Sequence, residues 1–236
     1  MTPELFKLLT SVDTPTVCNA IEVAQGQRGF SDFTRGTMLC SNVNTSAIVG
    51  YARTAQIAAT EPPKEPKDVI RARRMAYYKH MSTVTEGLVE VPSIAVIEDM
   101  DYPHAIGAYW GEVNTNIHKA FGMSGALTNG VMRDLGDMAE NFTVIAGSIG
   151  PSHGFVHVKT VGEPVEIFGM RVRDNDLIHA DRHGAIVIPQ SVIGGLEAAI
   201  NKLLRTEKIV LEPTYGKRIT FEEFEHIWAS FEAART

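Results

Sequence analysis

Between residues 141 and 189 the chain is cut into short pieces by its own turn chemistry: Gly162-Glu163-Pro164, Asp174-Asn175-Asp176 and Asp181-Arg182-His183-Gly184. Turns at that spacing leave room for strands and not for helices, which need about ten or more residues free of breakers. Residues 141–146, 154–161, 164–168 and 185–189 therefore read as strands. The N-terminal half is mixed. Leu5, Leu8 and Leu9 share one helical face, and a second helix begins near Thr16, with Thr14 and Pro15 placed as N-cap and first helical residue. From residue 47 a β-branched alternation begins. After a proline-rich break at 61–66, residues 67–81 form a polar helix. The apolar run 92–97 is a buried strand ending at the acidic turn Glu98-Asp99-Met100-Asp101, which is a candidate to hold a cation at second remove. A helix at 112–121, a strand running through 124–130, an amphipathic helix at 191–205 and a tail helix opened by the capping box Thr220 and Glu223 complete the pattern. The expected organisation is one α/β domain over residues 1–206 with a helical extension over 207–236. The tail aromatics Phe224, Trp228 and Phe231 need a surface to cover, on this chain or on a neighbouring subunit.

Composition removes several function classes. With 22 Lys and Arg against 28 Asp and Glu the net charge is −6, the wrong sign for a protein that works by neutralising nucleic-acid phosphates. The basic cluster Arg71, Arg73, Arg74 and Lys79 lies in a helical pattern, as a solvated or subunit-facing side. No apolar run approaches the ~18 residues of a membrane span. Two cysteines without a C-x-x-C unit, and an opening segment without a basic n-region and apolar h-region, lead us to expect a cytoplasmic protein with buried or incidental thiols. The pairs His153/His157 and His179/His183 fall in strand or turn patterns where four apart is roughly 13 Å, which does not suit zinc. Ser152-His153 lacks a nucleophile elbow, and the glycines near 122–130 form no nucleotide-binding motif.

The segment Trp110-Gly111-Glu112-Val113-Asn114 opens a helix, and Gly130-Val131-Met132-Arg133-Asp134 ends the next strand. Side by side, these supply an anion site in the free N–H groups of the first helical turn, a bidentate fork in Arg133 and a hard oxygen ligand in Asp134. That combination describes a pocket for a small keto acid on a divalent metal.

Glu112, twenty intervening residues and then Arg133-Asp134 resembles the acidic-x20-Arg-Asp signature of the RraA-like family. That family includes 4-hydroxy-4-methyl-2-oxoglutarate aldolases, oxaloacetate decarboxylases and regulators of ribonuclease activity. The likeness extends to Thr14-Pro15-Thr16-Val17-Cys18-Asn19-Ala20, to Gly50-Tyr51-Ala52-Arg53-Thr54-Ala55, and to the stretches 169–176 and 180–189, about residues 10–206 in all. The resemblance implies a phosphohistidine-domain-like, swivelling α/β/β/α fold, assembled as a homotrimer or as a hexamer of two trimers with sites between subunits. It also implies Mg²⁺ or Mn²⁺ ligated by Asp134 and reached through water by Glu112, with Arg133, Gly111 and the N–H groups of Val113 and Asn114 binding a 2-keto acid. No nucleic-acid or membrane partner is implied. A ring-shaped, non-catalytic regulator of a ribonuclease is the other function the family supports. A methyltransferase, as some members are labelled, would need a glycine-rich donor motif that this chain lacks.

Overall fold

The computed structural model describes residues 1–83 and 91–235. In chain order the elements are α1 (Pro3–Ser11), α2 (Thr14–Gln25), β1 (Leu39–Cys40), β2 (Ile48–Ala58), α3 (Lys67–Met81), β3 (Ser93–Asp99), β4 (Ala108–Trp110), α4 (Glu112–Ala120), β5 (Gly125–Thr128), β6 (Val131–Met132), β7 (Thr143–Ala146), β8 (Ser148–Ile149), β9 (His157–Val161), β10 (Val165–Ile167), β11 (Met170–Val172), β12 (Leu177–Asp181), β13 (Gly184–Ile188), α5 (Ile193–Thr214) and α6 (Phe221–Arg235).

Strand β2 organises the fold. At eleven residues it pairs in parallel with β3 along one edge. On its other edge it carries β12 against Ile48 to Tyr51 and β9 against Ala55 to Ala58, both antiparallel, with an irregularity at Gln56/Ile57. The eight-stranded sheet runs β1-β7-β5-β3-β2-β12-β13, with β9 joined to β2, and it curls. In its parallel centre, β2-β3-β5-β7, the crossover from β2 to β3 runs through α3, that from β3 to β5 through α4, and that from β5 to β7 through β6. A three-stranded parallel sheet, β4-β6-β8, stands apart, and β10 and β11 form a hairpin.

Side-chain alternation sorts the core. Val49 and Tyr51 pack with α1, α2 and α5, whereas Ala55 and Ile57, on the same face further along β2, pack with Tyr77 and Met81 of α3. The opposite face carries Ile48, Ala52, Ile94, Val96, Leu127 and Ile145, closed over by Val165, Ile167, Met170 and Val172 of the hairpin. Between the first two clusters lies the buried Arg53, its Nη1 donating to Asn175 Oδ1 at 2.6 Å and its Nε to Thr83 Oγ1 at 3.0 Å.

Three local expectations are corrected. The N-cap of α2 is Asp13, whose carboxylate accepts from Thr16 N at 2.9 Å; Thr14 is already helical, and its hydroxyl is turned to His179 Nδ1 at 3.0 Å. The strand expected through 124–130 is two strands in different sheets, because Asn129 turns its side chain onto the backbone of Asp99, accepting from Asp99 N at 2.6 Å and donating to Asp99 O at 3.2 Å. The helix expected at 191–205 continues without a break to Thr214. The tail capping box forms as read, with Glu223 N to Thr220 Oγ1 at 3.2 Å and Thr220 N to Glu223 Oε2 at 2.7 Å. Among the described residues no helix is long and apolar enough to cross a membrane.

Candidate active site

Strands β4 and β6 are parallel neighbours in which Trp110 stands opposite Met132, so the residues that follow, Gly111 and Arg133, emerge side by side. Arg133 N donates to Trp110 O at 2.8 Å and continues the ladder. At that point the chain turns sharply on both sides. After Gly111 it enters α4, and after Arg133 it passes through Asp134, which holds the left-handed conformation at φ +55° that non-glycine residues rarely adopt. Such conformations concentrate at functional sites and persist where the surroundings enforce them.

The surroundings here are specific. A Cβ on Gly111 would lie 2.4 Å from Asp134 Oδ2 and 3.1 to 3.2 Å from Arg133 Cγ and Nε, so only glycine lets the two segments meet. Helix α4 has no side-chain cap of its own; Asp134 Oδ2 supplies one from across the gap, accepting from Glu112 N at 3.1 Å. The Arg133 guanidinium lies alongside, its Nε 3.7 Å from Asp134 Oδ2. Helix geometry leaves the N–H groups of Val113 and Asn114 without partners inside the helix. Arg133 Nε is buried and makes no hydrogen bond, a donor that is costly to leave unpaired.

Each residue singled out in the sequence can now be placed. Glu112, Gly111, Val113, Arg133 and Asp134 share one corner. Glu112 and Val113 are exposed there, and Arg133 and Asp134 are each one-third exposed. Asn114 belongs to the same helical turn, but its side chain points under it: Nδ2 donates to Tyr109 O at 2.6 Å and Oδ1 accepts from Tyr78 O–H at 3.2 Å. Only its backbone N–H faces the corner. The acidic turn lies elsewhere. Asp101 Oδ2 accepts from the N–H groups of Ala59 and Thr60 at 2.6 and 2.8 Å, and Asp99 is buried against Gly130. His179 has both ring nitrogens engaged, by Thr14 Oγ1 and by Leu9 O.

Sequence reading missed the support beneath α4. His118 lies one turn below Asn114, its Nδ1–H donating to Asn114 O at 2.6 Å, so its Nε2 is the acceptor for Tyr77 O–H at 2.6 Å. Burial pushes the His118 imidazole down to about 4 and raises the Tyr77 and Tyr109 phenols. The ring is neutral at physiological pH and works as a strut. Thr115 adds a second tie, its hydroxyl accepting from Ala139 N at 3.0 Å while lying 2.9 Å from Gly111 O. Tyrosine and histidine on helical faces 41 residues apart carry no local signal of their meeting.

The donor set decides which cation fits. Among the described residues no group of three His, Cys, Asp or Glu side chains is placed to hold a metal ion. A single carboxylate, Asp134, with a second exposed acid, Glu112, on the adjoining helical turn suits Mg²⁺ or Mn²⁺. Such hard cations keep several waters and take one or two protein carboxylates together with oxygen atoms of the substrate.

A family model described as RraA-like, Aldolase/RraA, matches residues 14–187. Comparison with curated proteins finds no match. Among solved structures, an uncharacterized protein from Pseudomonas syringae pv. tomato str. DC3000 is similar over 100% of this chain and 98% of its own, at 18% identity and TM-score 0.63. A structure described as novel cellulases from microbes of the gut ecosystem covers 88% of this chain and 87% of its own, at 18% identity and TM-score 0.67. Streptomyces coelicolor RraAS2, described as an unusual member of the RNase ES inhibitor RraA protein family, covers 92% and 98% at 18% identity and TM-score 0.62. At these identities the likeness to solved structures speaks for the fold.

Proposed function

The chain belongs to the RraA-like family, and on that premise we propose that it is a divalent-metal-dependent carbon–carbon lyase. Its substrate is a short 2-keto acid with a second carboxylate, cleaved by retro-aldol reaction or decarboxylation to release pyruvate. The observation that carries this reading is the corner at Gly111, where the buried Arg133 Nε, without a hydrogen bond, faces an enforced left-handed Asp134 beside a helix N-terminus. The donors there await an anion, and the carboxylates await a cation.

Asp134 would hold Mg²⁺ or Mn²⁺, with Glu112 at one remove through water; when bound, the ion supplies Lewis-acid stabilisation of negative charge on the keto oxygen. Arg133 and the N–H groups of Val113 and Asn114 grip the carboxylate next to the keto group, and Gly111 leaves the space in which it sits. In the retro-aldol reaction the hydroxyl proton leaves toward Glu112, to be returned to the enolate carbon as pyruvate forms. The carbon–carbon bond breaks with its electron pair moving to the keto side, and the resulting enolate lies beside the Arg133 guanidinium. Preorganised charge of this kind is worth about 3–4 kcal/mol per donor in comparable sites. In decarboxylation the same electron pair is released by loss of CO₂, so no base is needed, and the enolate carbon then takes a proton from water. The phosphohistidine-domain-like layering, the trimeric or hexameric assembly and a cytoplasmic location belong to the same reading.

Pyruvate release from oxaloacetate and from 4-hydroxy-4-methyl-2-oxoglutarate, with Mg²⁺ or Mn²⁺ and then with EDTA, tests it. The expected result is turnover above the metal-only background that EDTA abolishes. No turnover of either acid by a folded protein would sink the reading. The family also contains ribonuclease regulators, and co-purification with an RNA-degrading complex in the absence of turnover would favour that function instead.

A further inference from the structure

Helix α6 meets its own chain along α5. It packs on α5, where of its apolar side chains only Ile227 and Phe231 are half-buried, while Phe221, Phe224 and Trp228 are 70%, 37% and 40% exposed. A fifteen-residue helix is marginal in water without tertiary cover, and an aromatic band of this kind marks an interaction surface. An exposed stripe along its flank is Phe221, Glu225, Trp228 and Glu232, each three or four residues from the next, with Trp228 Nε1 donating to Glu232 Oε1 at 2.9 Å and Glu232 also bordering the groove between α6, α2 and α5. The helix carries Glu222, Glu223, Glu225 and Glu232 against one arginine, Arg235.

Helix α3 is the complement. It carries Lys67, Arg71, Arg73, Arg74 and Lys79 against one acid, Asp68. Arg73 is paired with Glu65 at 2.9 Å, but Lys67, Arg71 and Arg74, on one stripe, are exposed and make no ion pair among the described residues. They border a groove of about 330 Å³ whose floor is Ile70 and Met75, the latter 49% exposed. Cations around an apolar floor suit an acidic aromatic helix better than a bare phosphate backbone.

We propose that α6 of one copy of this chain docks on α3 of another. The spacing matches. Glu225 and Glu232 are seven residues apart, about 10.5 Å of helical rise, as are Lys67 and Arg74. Trp228 falls between the acids as Arg71 falls between the cations, so the helices laid side by side in either direction pair both ends and set the guanidinium against the indole. Both stripes are exposed, so they do not meet within one chain. The contact is between unlike patches, and it closes as a ring or as a reciprocal two-fold exchange.

The test uses the full chain. Arg71→Cys and Trp228→Cys chains, mixed and treated with a short bismaleimide, should give a cross-linked pair, whereas Arg71→Cys mixed with Ser230→Cys, on the far side of α6, should not. Sedimentation should show a smaller assembly for Arg71→Glu/Arg74→Glu and for Glu225→Arg/Glu232→Arg, and recovery when all four changes are combined. Equal cross-linking to both cysteines, a wild type that is monomeric at every concentration, or unchanged assembly in both reversed variants would overturn the proposal. Loss in the α3 variant that the α6 changes do not recover would also overturn it, assigning α3 to a different acidic partner.

Discussion

The ends of β3 and β6 each place an aspartate against a glycine, and the two carboxylates meet opposite fates. Asp99 is 1% exposed; a Cβ on Gly130 would lie 3.0 Å from its Oδ2, which has no hydrogen-bond partner, and its Oδ1 accepts one bond, from Asp101 N at 3.0 Å. Burial pushes it up to about 6. Asp134 presses as closely on Gly111, yet it is one-third exposed, caps a helix and has an arginine alongside. An aspartate at a strand end packed against a glycine does not by itself make a site. The helix N-terminus and the guanidinium give one carboxylate partners at an open corner, whereas burial without such partners makes the other hold its proton more tightly than an ordinary aspartate.

The largest expected effect separates the two. Asp134→Asn, which tolerates the left-handed backbone, should lower kcat/KM for pyruvate release at least about a hundredfold with little change in Tm, whereas Asp99→Asn should leave turnover within a few-fold. Equal losses in both would erase the distinction. Gly111→Ala comes next: its new methyl displaces Asp134 Oδ2, so a drop in turnover of about tenfold or more is expected together with about 1–3 kcal/mol of stability, read from urea midpoints. Gly130→Ala should cost similar stability without the direct effect on turnover.

Asp99 gives a pH signature. Its folded value, about 6, is above the ordinary 3.8, so its contribution to stability is fully present below about 3.8 and is lost as pH rises through about 6. Relative to wild type, Asp99→Asn should therefore gain stability on going from pH 4 to pH 7, by at most about 3 kcal/mol. Parallel stability–pH curves for the two proteins would contradict the assignment. The smallest effect is expected for Asn114→Ala, which removes the bonds to Tyr109 O and Tyr78 and should cost about 1–2 kcal/mol with a few-fold rise in KM as the start of α4 loosens.

What the sequence disclosed follows from what is local. The capping box at Thr220, the helix at 67–81 and the neighbourhood of Glu112 with Arg133-Asp134 are written in residues a few positions apart or in a single parallel crossover. The break between β5 and β6 is not, because it depends on Asn129 bonding a strand thirty residues away. The same holds for the His118 strut under α4, for the cap that Asp134 lends across a gap of 22 residues, and for the bond from Tyr78 O–H to Asn114 Oδ1. The left-handed backbone at Asp134 is set by Gly111 and the ladder from Trp110, and no residue near 134 announces it.

The most direct test of the claim that the end of β6, and not the end of β3, holds the cation is Mn²⁺ binding in the presence of pyruvate, followed by the loss of the free-ion electron paramagnetic resonance signal. One bound ion per chain in wild type and in Asp99→Asn, and none in Asp134→Asn, is the expected result. Undiminished binding by Asp134→Asn would contradict it.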